Sequence, residues 1–276
     1  MAEFLRAMRA RLTPHDVGLP DGERRRLPGL RRQEVAQLAA VSVDWYIRLE
    51  QGRVGAPGAA VLDALAQALL LSEPERQHLH LIARGDSPTP RHQAAPVSAS
   101  LRALLAGMPL LPAYVIDFRF DILAHNQAAA ALFGAGFGTG PAANAARLLF
   151  LEPSTRRTQL DWARIARETV GNLRANLARH RDDPRLHELI SDLCRDSADF
   201  AGWWHDQTVR ERTHGRKRIR HPTGCELTVD YDALATLDNS DQRLLVLTPA
   251  DHEADRNLRG IVGHHSRQLA RPAIVA

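Results

Sequence analysis

The sequence predicts two domains of different class: an all-α domain of five helices, then an α+β domain built on an antiparallel sheet. Three observations predict it. Residues 1–84 carry apolar residues at helical spacing. Residues 85–100, GDSPTPRHQAAPVSAS, are rich in Pro, Ser and Ala and lack any apolar period, as an interdomain linker does; Pro88, Pro90 and Pro96 stiffen it. From Leu101 the pattern changes to short strand-like runs interrupted by helices, continuing to residue 250. Residues 251–276 read as a polar, loosely held tail.

A chain of 276 residues with 44% hydrophobic and 25% charged residues is long enough for two globular domains. No apolar run approaches the roughly 18 residues of a membrane span. The start, MAEFLRAMRARL, lacks the apolar core of an export signal, so a cytoplasmic location is expected. Cys194 and Cys225 form no CxxC pair and imply neither a disulfide framework nor a zinc site. The net charge is +4, mildly basic and compatible with a nucleic-acid partner. All but one of the 36 basic residues are arginine, which reads as the signature of a GC-rich genome; the sole lysine is Lys217.

The most informative stretch is Pro28 to Gly52, PGLRRQEVAQLAAVSVDWYIRLEQG. A first helix is expected from Arg31 to Ala39, with Val35, Leu38 and Ala39 on one face. A second is expected from Ser42 to Glu50, where Ser42 is the N-cap and Asp44 suits the positive end of the helix dipole. Trp45, Tyr46 and Leu49 seat it in a core, and Gly52 ends it. Such a bihelical unit places its second helix in the DNA major groove. After it, Ala59 to Leu71 has a broad apolar face from Val61, Leu62, Leu65, Leu69 and Leu70. Ser72 caps a further helix with Pro74 in its first turn.

The run RRQEVAQLAAVSVDWYIRLEQGR resembles the helix-turn-helix of the Xre-type bacterial regulators. GERRRLPGLRRQEVAQLAAVSVDWYIRLEQGR resembles more narrowly the branch with an MmyB-like C-terminal ligand-binding domain. LPAYVIDFRFDILAHNQAAAALFG, RLLFLEP, VRERTHGRKRIRHP and SDQRLLVLT agree with it, so the resemblance covers Phe4 to about Thr248. It implies a double-stranded DNA operator and a homodimer as partners. It also implies a small, mostly apolar effector in the C-terminal domain, such as a bound fatty acid, and no required cofactor. No membrane partner is expected.

In the second domain, Leu101, Leu104 and Leu105 suggest a short helix. AYVIDFRFDILAHN reads as two strands around a turn, Ala113 to Asp117 and Phe120 to Ala124. A helix follows from Gln127 to Phe133. GAGFGTG, Gly134 to Gly140, is read as a flexible loop, because no strand leads directly into it and no GK[ST] ends it. Helices are expected at Thr158–Arg179, Arg185–Arg195 and Asp199–Gln207. Strands are expected at Arg216–His221, Glu226–Tyr231 and Arg243–Thr248. The result is a five-strand antiparallel sheet with helices on one side, a PAS-like layout.

The candidate base readers are Ser42, Val43, Asp44 and Arg48. The Arg48 fork matches O6 and N7 of guanine, Val43 suits a thymine methyl, and Asp44 accepts from cytosine or serves the cap. An Asp44–Arg48 pair one turn apart is the plain alternative for Arg48. Arg31, Arg32 and Arg53, with the cluster Arg24–Arg26, are candidate phosphate contacts. Glu34 and Glu50 are expected to pair with arginines inside the domain. Ala40 stands where the motif turn usually carries glycine.

For the effector, the aromatics Tyr114, Trp162, Trp203 and Trp204 line a pocket or fill a core. Arg220 and His221, with Pro222, match the family's Arg-His-Pro and suit an acidic headgroup; a charged edge strand is the alternative. Asn126 matches the Asn of a Trp-Asn pair, although His125 replaces the Trp. Gln207 and Cys225 stand where the family has histidine and glycine, so the effector is expected to differ from that of relatives. The 13 histidines show no metal-binding spacing, and no Ser-His-Asp or paired-carboxylate arrangement stands out, so neither a metal nor an enzyme is expected. Alternatives for the second domain are a haem or flavin sensor and a protein-docking platform.

Overall fold

A computed structural model describes residues 1–20, 29–83, 96–134, 137–138, 143–207, 213–235 and 241–269. The Arg24–Arg26 cluster and most of the expected linker lie outside the described residues. The chain divides into two compact units, one of Met1–Arg91, Val170–Asp182 and Gly202–Glu211, the other of His92–Thr169, Asp183–Ala201 and Arg212–Ala276. This grouping differs from the boundaries read from composition, because two later segments join the N-terminal helices.

The first unit begins with α1 (Ala2–Arg11), α2 (Arg32–Leu38), α3 (Val43–Glu50), α4 (Ala59–Ala68) and α5 (Glu73–Ala83). Most positions of the expected apolar faces are buried; Leu70, expected on the face of α4, instead lies past the helix end at φ 47° and is 52% exposed. Phe4, Leu5 and Met8 of α1 meet Val35 of α2, Tyr46 and Leu49 of α3, Leu62 and Leu65 of α4 and Leu79 of α5 in one core. Local chemistry sets the ends. The Glu34 carboxylate accepts from the Arg31 backbone N–H at 2.6 Å, opening α2. Ser42 Oγ accepts from the Trp45 N–H at 3.2 Å, opening α3. Glu75 accepts from the Ser72 N–H at 2.8 Å before α5. Between α2 and α3, Ala40 sits at φ 51°, the left-handed conformation that a glycine adopts without strain. Gly52, at φ 70°, ends α3, and the Arg53 N–H reaches back to the Arg48 carbonyl.

Further along run α6 (Ala99–Gly107), β1 (Ala113–Ile116), β2 (Ile122–His125), α7 (Gln127–Phe133), α8 (Ala145–Leu151), α9 (Pro153–Thr158), α10 (Trp162–Arg179), α11 (Pro184–Asp196) and α12 (Ala198–His205). They are followed by β3 (His214–Arg220), β4 (Glu226–Ala235), β5 (Arg243–Pro249) and α13 (His252–Leu269). The strands form one antiparallel sheet in the order β2-β1-β5-β4-β3, the expected PAS-like arrangement. The β1–β2 turn closes on Asp117, whose carboxylate accepts from the backbone N–H groups of Arg119 and Asp121, with Phe120 at φ 68°.

Alternation sorts the sheet's two faces. Tyr114, Ile116, Ile219, Leu227, Val229, Tyr231, Leu245 and Leu247 share a core with Ala128 and Leu132 of α7 and Leu258, Ile261 and Val262 of α13. On the other face Ala113, Val115 and Leu244 pack with Val97 and with Leu101 and Leu105 of α6. Helices therefore cover both faces, a correction to the one-sided layout. A second correction concerns the tail. Residues 252–269 form α13, and three of its apolar residues reach the core. Their spacing, 258, 261 and 262, is helical, hidden in a segment whose other residues are mostly polar. Helices α8 and α9 were not expected. Ser98 caps α6 and Val97 is buried, so the last residues of the expected linker belong to the second unit.

Candidate functional site

The solvent side of α3 is the first candidate. Ser42, Asp44, Arg48 and Arg53 are exposed, as is Arg31 at the start of α2. Among the described residues Arg48 carries no ion pair, to Asp44 or any other group, so its fork is open to an outside acceptor. Beside it lies an open groove of about 480 Å³ lined by Ser42, Trp45, Arg48, Val54, Pro57 and Val61. Trp45, read as a core residue, is only half-buried and faces this groove in addition to packing on the core. The signal was present in the three-residue spacing of Ser42, Trp45 and Arg48. Val43, read as a thymine contact, is half-buried and packs against the core. Ser42 spends its hydroxyl oxygen on the cap.

Behind the helix, Glu50 has a fully buried side chain held by two arginines. Arg9 of α1 meets it at 2.6 and 3.2 Å, and Arg32 of α2 at 2.7 Å. Arg9 also donates to the Leu30 carbonyl at 2.7 Å. Burial alone would raise the Glu50 pKa, but the hydrogen bonds from Arg9 and Arg32 outweigh it and hold the carboxyl below its ordinary value. Three helices are thereby locked at one point. Arg32, read as a phosphate contact, is committed to this cluster through Nε, although its side chain remains half-exposed.

The residues proposed for the effector are dispersed. Tyr114 is buried in the second unit, edge-on to Phe133 and Phe137 at 6.0 and 5.2 Å. Phe137, part of the expected loop, is a core residue that sequence reasoning missed. Asn126 is a structural clasp. Its Oδ1 accepts from the Ala113 and Ala129 N–H groups, and its Nδ2 donates to the Met108 and Leu111 carbonyls at 2.8 Å. That leaves little for a ligand, a correction to its assignment. Trp162 is buried, donates from Nε1 to the Leu149 carbonyl at 2.8 Å and stacks under the Arg156 guanidinium. Trp203 and Trp204 are half-buried and belong to the first unit, where the Arg174 guanidinium lies 4.1 Å from the Trp204 ring. Trp162, in the second unit, is not part of the sheet core that holds Tyr114.

Strand β3 separates its residues as alternation predicts. Arg216, Arg218 and Arg220 are exposed and paired with Asp230, Asp161 and Glu226 at 2.8, 2.9 and 2.7 Å. Arg220, read as a headgroup contact, thus stands on the solvent face as part of a charged edge. His221 is half-buried, its Nε2 3.1 Å from the Ala131 carbonyl oxygen and its Nδ1 2.8 Å from Thr223 Oγ1.

The inner face of β3 carries a group that was not singled out for the effector. Lys217 points toward the core face, its Nζ 4.4 Å from the centre of the Tyr231 ring. Burial pushes its ammonium down to about 8, with Glu168 opposing and Arg164 reinforcing that shift. The Tyr231 hydroxyl donates to Glu168 at 3.3 Å, and Arg164 donates to the same carboxylate at 3.1 Å. Alternation placed Lys217 beside Ile219 on the inner face, and that was the available signal.

Among the described residues no group of His, Cys, Asp and Glu is placed to hold a metal, and no helix is long and apolar enough to cross a membrane. Comparison with protein families finds two matches. Residues 1–79 match a helix-turn-helix domain, and residues 97–260 match the MmyB-like transcription regulator ligand binding domain. The comparison with curated proteins gives no match. The first match covers α1 to α4 and most of α5, and the second runs from the start of α6 through the five-stranded sheet into α13. Both are regulatory domains, one for DNA and one for a small molecule. With more than half of its length in the second match, the chain belongs to the MmyB-like transcription regulators, in which a helix-turn-helix domain precedes a ligand-binding domain.

Proposed function

We propose that this regulator binds a double-stranded operator as a homodimer in the cytoplasm, reading bases through Arg48, and that a small, mostly apolar effector of fatty-acid type changes its operator affinity. The observation that carries the DNA reading is the exposed Arg48, which makes no ion pair among the described residues, on a helix locked from behind by Glu50. A guanidinium held on a rigid helix loses little freedom on meeting a guanine. Arg31, Arg53 and the open side of Arg32 contact phosphates and set register, while Ser42 and Asp44 flank the base-reading arginine. The effector reading rests on the apolar inner face of the sheet, with Tyr114, Phe133 and Phe137 at one end and Lys217 at the other. A ligand that prefers one of two arrangements of the protein shifts the population toward it and so alters DNA affinity.

Footprinting on DNA upstream of the protein's own gene tests the DNA half. A protected, salt-sensitive site is expected, with Arg48→Ala weakening it roughly 5- to 150-fold, the equivalent of about 1–3 kcal/mol of base discrimination. Protection unchanged by Arg48→Ala would remove Arg48 from the interface. Native mass spectrometry with denaturing extraction tests the effector half, for which an apolar acid is the expected passenger.

A further inference from the structure

Lys217 is the exception in a chain that otherwise uses arginine for every cation. The two groups differ in one chemical respect above all: an arginine stays protonated, whereas a buried lysine loses its proton readily and becomes a nucleophile.

The surroundings of Lys217 favour that second behaviour. It lies half-buried on the inner face of β3, between Gly215 and Ile219 along the strand and opposite Val229 on β4. Tyr231 of β4 presents its ring to the ammonium. Among the described residues no carboxylate forms an ion pair with Lys217; Glu168 of α10, whose charge opposes the shift, is engaged by Arg164 and Tyr231. A cation with an aromatic face, one shared carboxylate and a competing arginine is poorly compensated. With its pKa near 8, about one Lys217 amine in ten is neutral at pH 7, against roughly one in 2,500 for an ordinary lysine.

We propose that Lys217 is a carbonyl-capture site, whose amine forms a reversible imine with an aldehyde-bearing apolar effector. The proposal rests on the reading that the second domain takes a small apolar molecule, and adds the chemical class and the bond. The amine lone pair adds to the carbonyl carbon, and an amine proton passes to the oxygen, giving a carbinolamine. The carbon–oxygen bond then breaks, the hydroxyl leaves with a proton as water, and a C=N bond remains. No oxidant or reductant takes part. Tyr231, whose ring faces the amine, is hydrogen-bonded through its hydroxyl to Glu168, which Arg164 also engages. Hydrolysis returns the aldehyde, so occupancy follows its concentration, as an effector requires.

The test uses the full chain with decanal and cyanoborohydride, which reduces the imine to a stable amine, read by intact mass and peptide mapping. The Met1 α-amine serves as an internal comparator. One alkyl group at Lys217 is expected, forming roughly 250-fold faster than at the same residue in the urea-unfolded chain, the ratio of the two neutral fractions. Lys217→Arg and Lys217→Met, with unchanged circular dichroism, should lose that adduct and keep any slow labelling of Met1. Labelling at Met1 alone, or Lys217 reacting no faster folded than unfolded, would overturn the proposal. A parallel arm offers decanoate, which forms no imine. Decanoate retained in native mass spectra without a Lys217 adduct from decanal would end the imine chemistry and leave the apolar-effector reading standing. Retention of neither would end both.

Discussion

Glu50 shows how one residue couples fold to function. It is the last residue of α3 and is not exposed to DNA, yet it holds that helix against α1 and α2 through Arg9 and Arg32. Removing the carboxylate strands two cations, one of them largely buried, so Glu50→Ala should cost about 3 kcal/mol, read by urea denaturation. The sign of the pH dependence follows from its lowered pKa. The contribution is fully present above the ordinary carboxylate value of 4.5 and is lost as pH falls from there through the folded-state pKa. Wild-type stability should therefore drop more steeply below that point than that of Glu50→Gln; parallel profiles would contradict the assignment. Ala40 gives a prediction of opposite direction. At φ 51° it is strained, so Ala40→Gly should raise stability by up to about 1 kcal/mol, the relief of strain less the extra chain entropy. At Asn126, replacement by Ala frees two N–H groups and at least two carbonyls at once, and a loss of about 2–4 kcal/mol is expected in the same denaturation assay. A loss below about 1 kcal/mol would return Asn126 to the list of possible ligand contacts.

At the scale of the element, β3 illustrates how an edge strand is closed. Its outward backbone groups do not face open solvent. The Leu160 N–H donates to the Arg218 carbonyl, the Arg218 N–H donates to Asp161, and Arg164 reaches the Arg216 carbonyl. With the three arginines of its solvent face, this blocks pairing with another strand. Asp161→Ala unmasks the Arg218 N–H and its guanidinium together, so concentration-dependent self-association is expected in sedimentation velocity, with wild type as the comparison. Elements were also where sequence reading succeeded and failed for clear reasons. Strands β1 and β5 were legible as short apolar runs, as strands packed on both faces require, and β3 and β4 by their alternation. Helix α3 was legible because Ser42 and Gly52 mark its ends. Helix α13 was not, because its buried residues, Ala254, Leu258, Ile261 and Val262, are set among long polar side chains. Helix α6 was seen, but no local pattern says which face of a sheet a helix covers.

Across the whole molecule, the family and the order of its two domains were readable in the chain, since both depend on patterns tens of residues long. The site was less readable. Arg48 stood out through helical position alone, whereas the effector candidates were chosen as aromatic or as matches to a motif. Asn126 and Trp162 proved to be hydrogen-bonded anchors, and Trp203 and Trp204 belong with the N-terminal helices. Such assignments depend on contacts between residues far apart in sequence. Lys217 was visible as an oddity of composition and gained meaning only when the sheet placed it against Tyr231 and near Glu168.

Control of the DNA-binding domain by the ligand-binding domain is the expectation on which the proposed function turns. It is tested most directly by the affinity of the full-length protein for its own footprinted operator, measured by fluorescence anisotropy with and without a saturating apolar acid or aldehyde. A shift of about 5- to 150-fold, the usual range of coupling between two sites, is expected, in one direction and absent for unrelated DNA. An effector shown to be bound, with operator affinity unchanged, would contradict it.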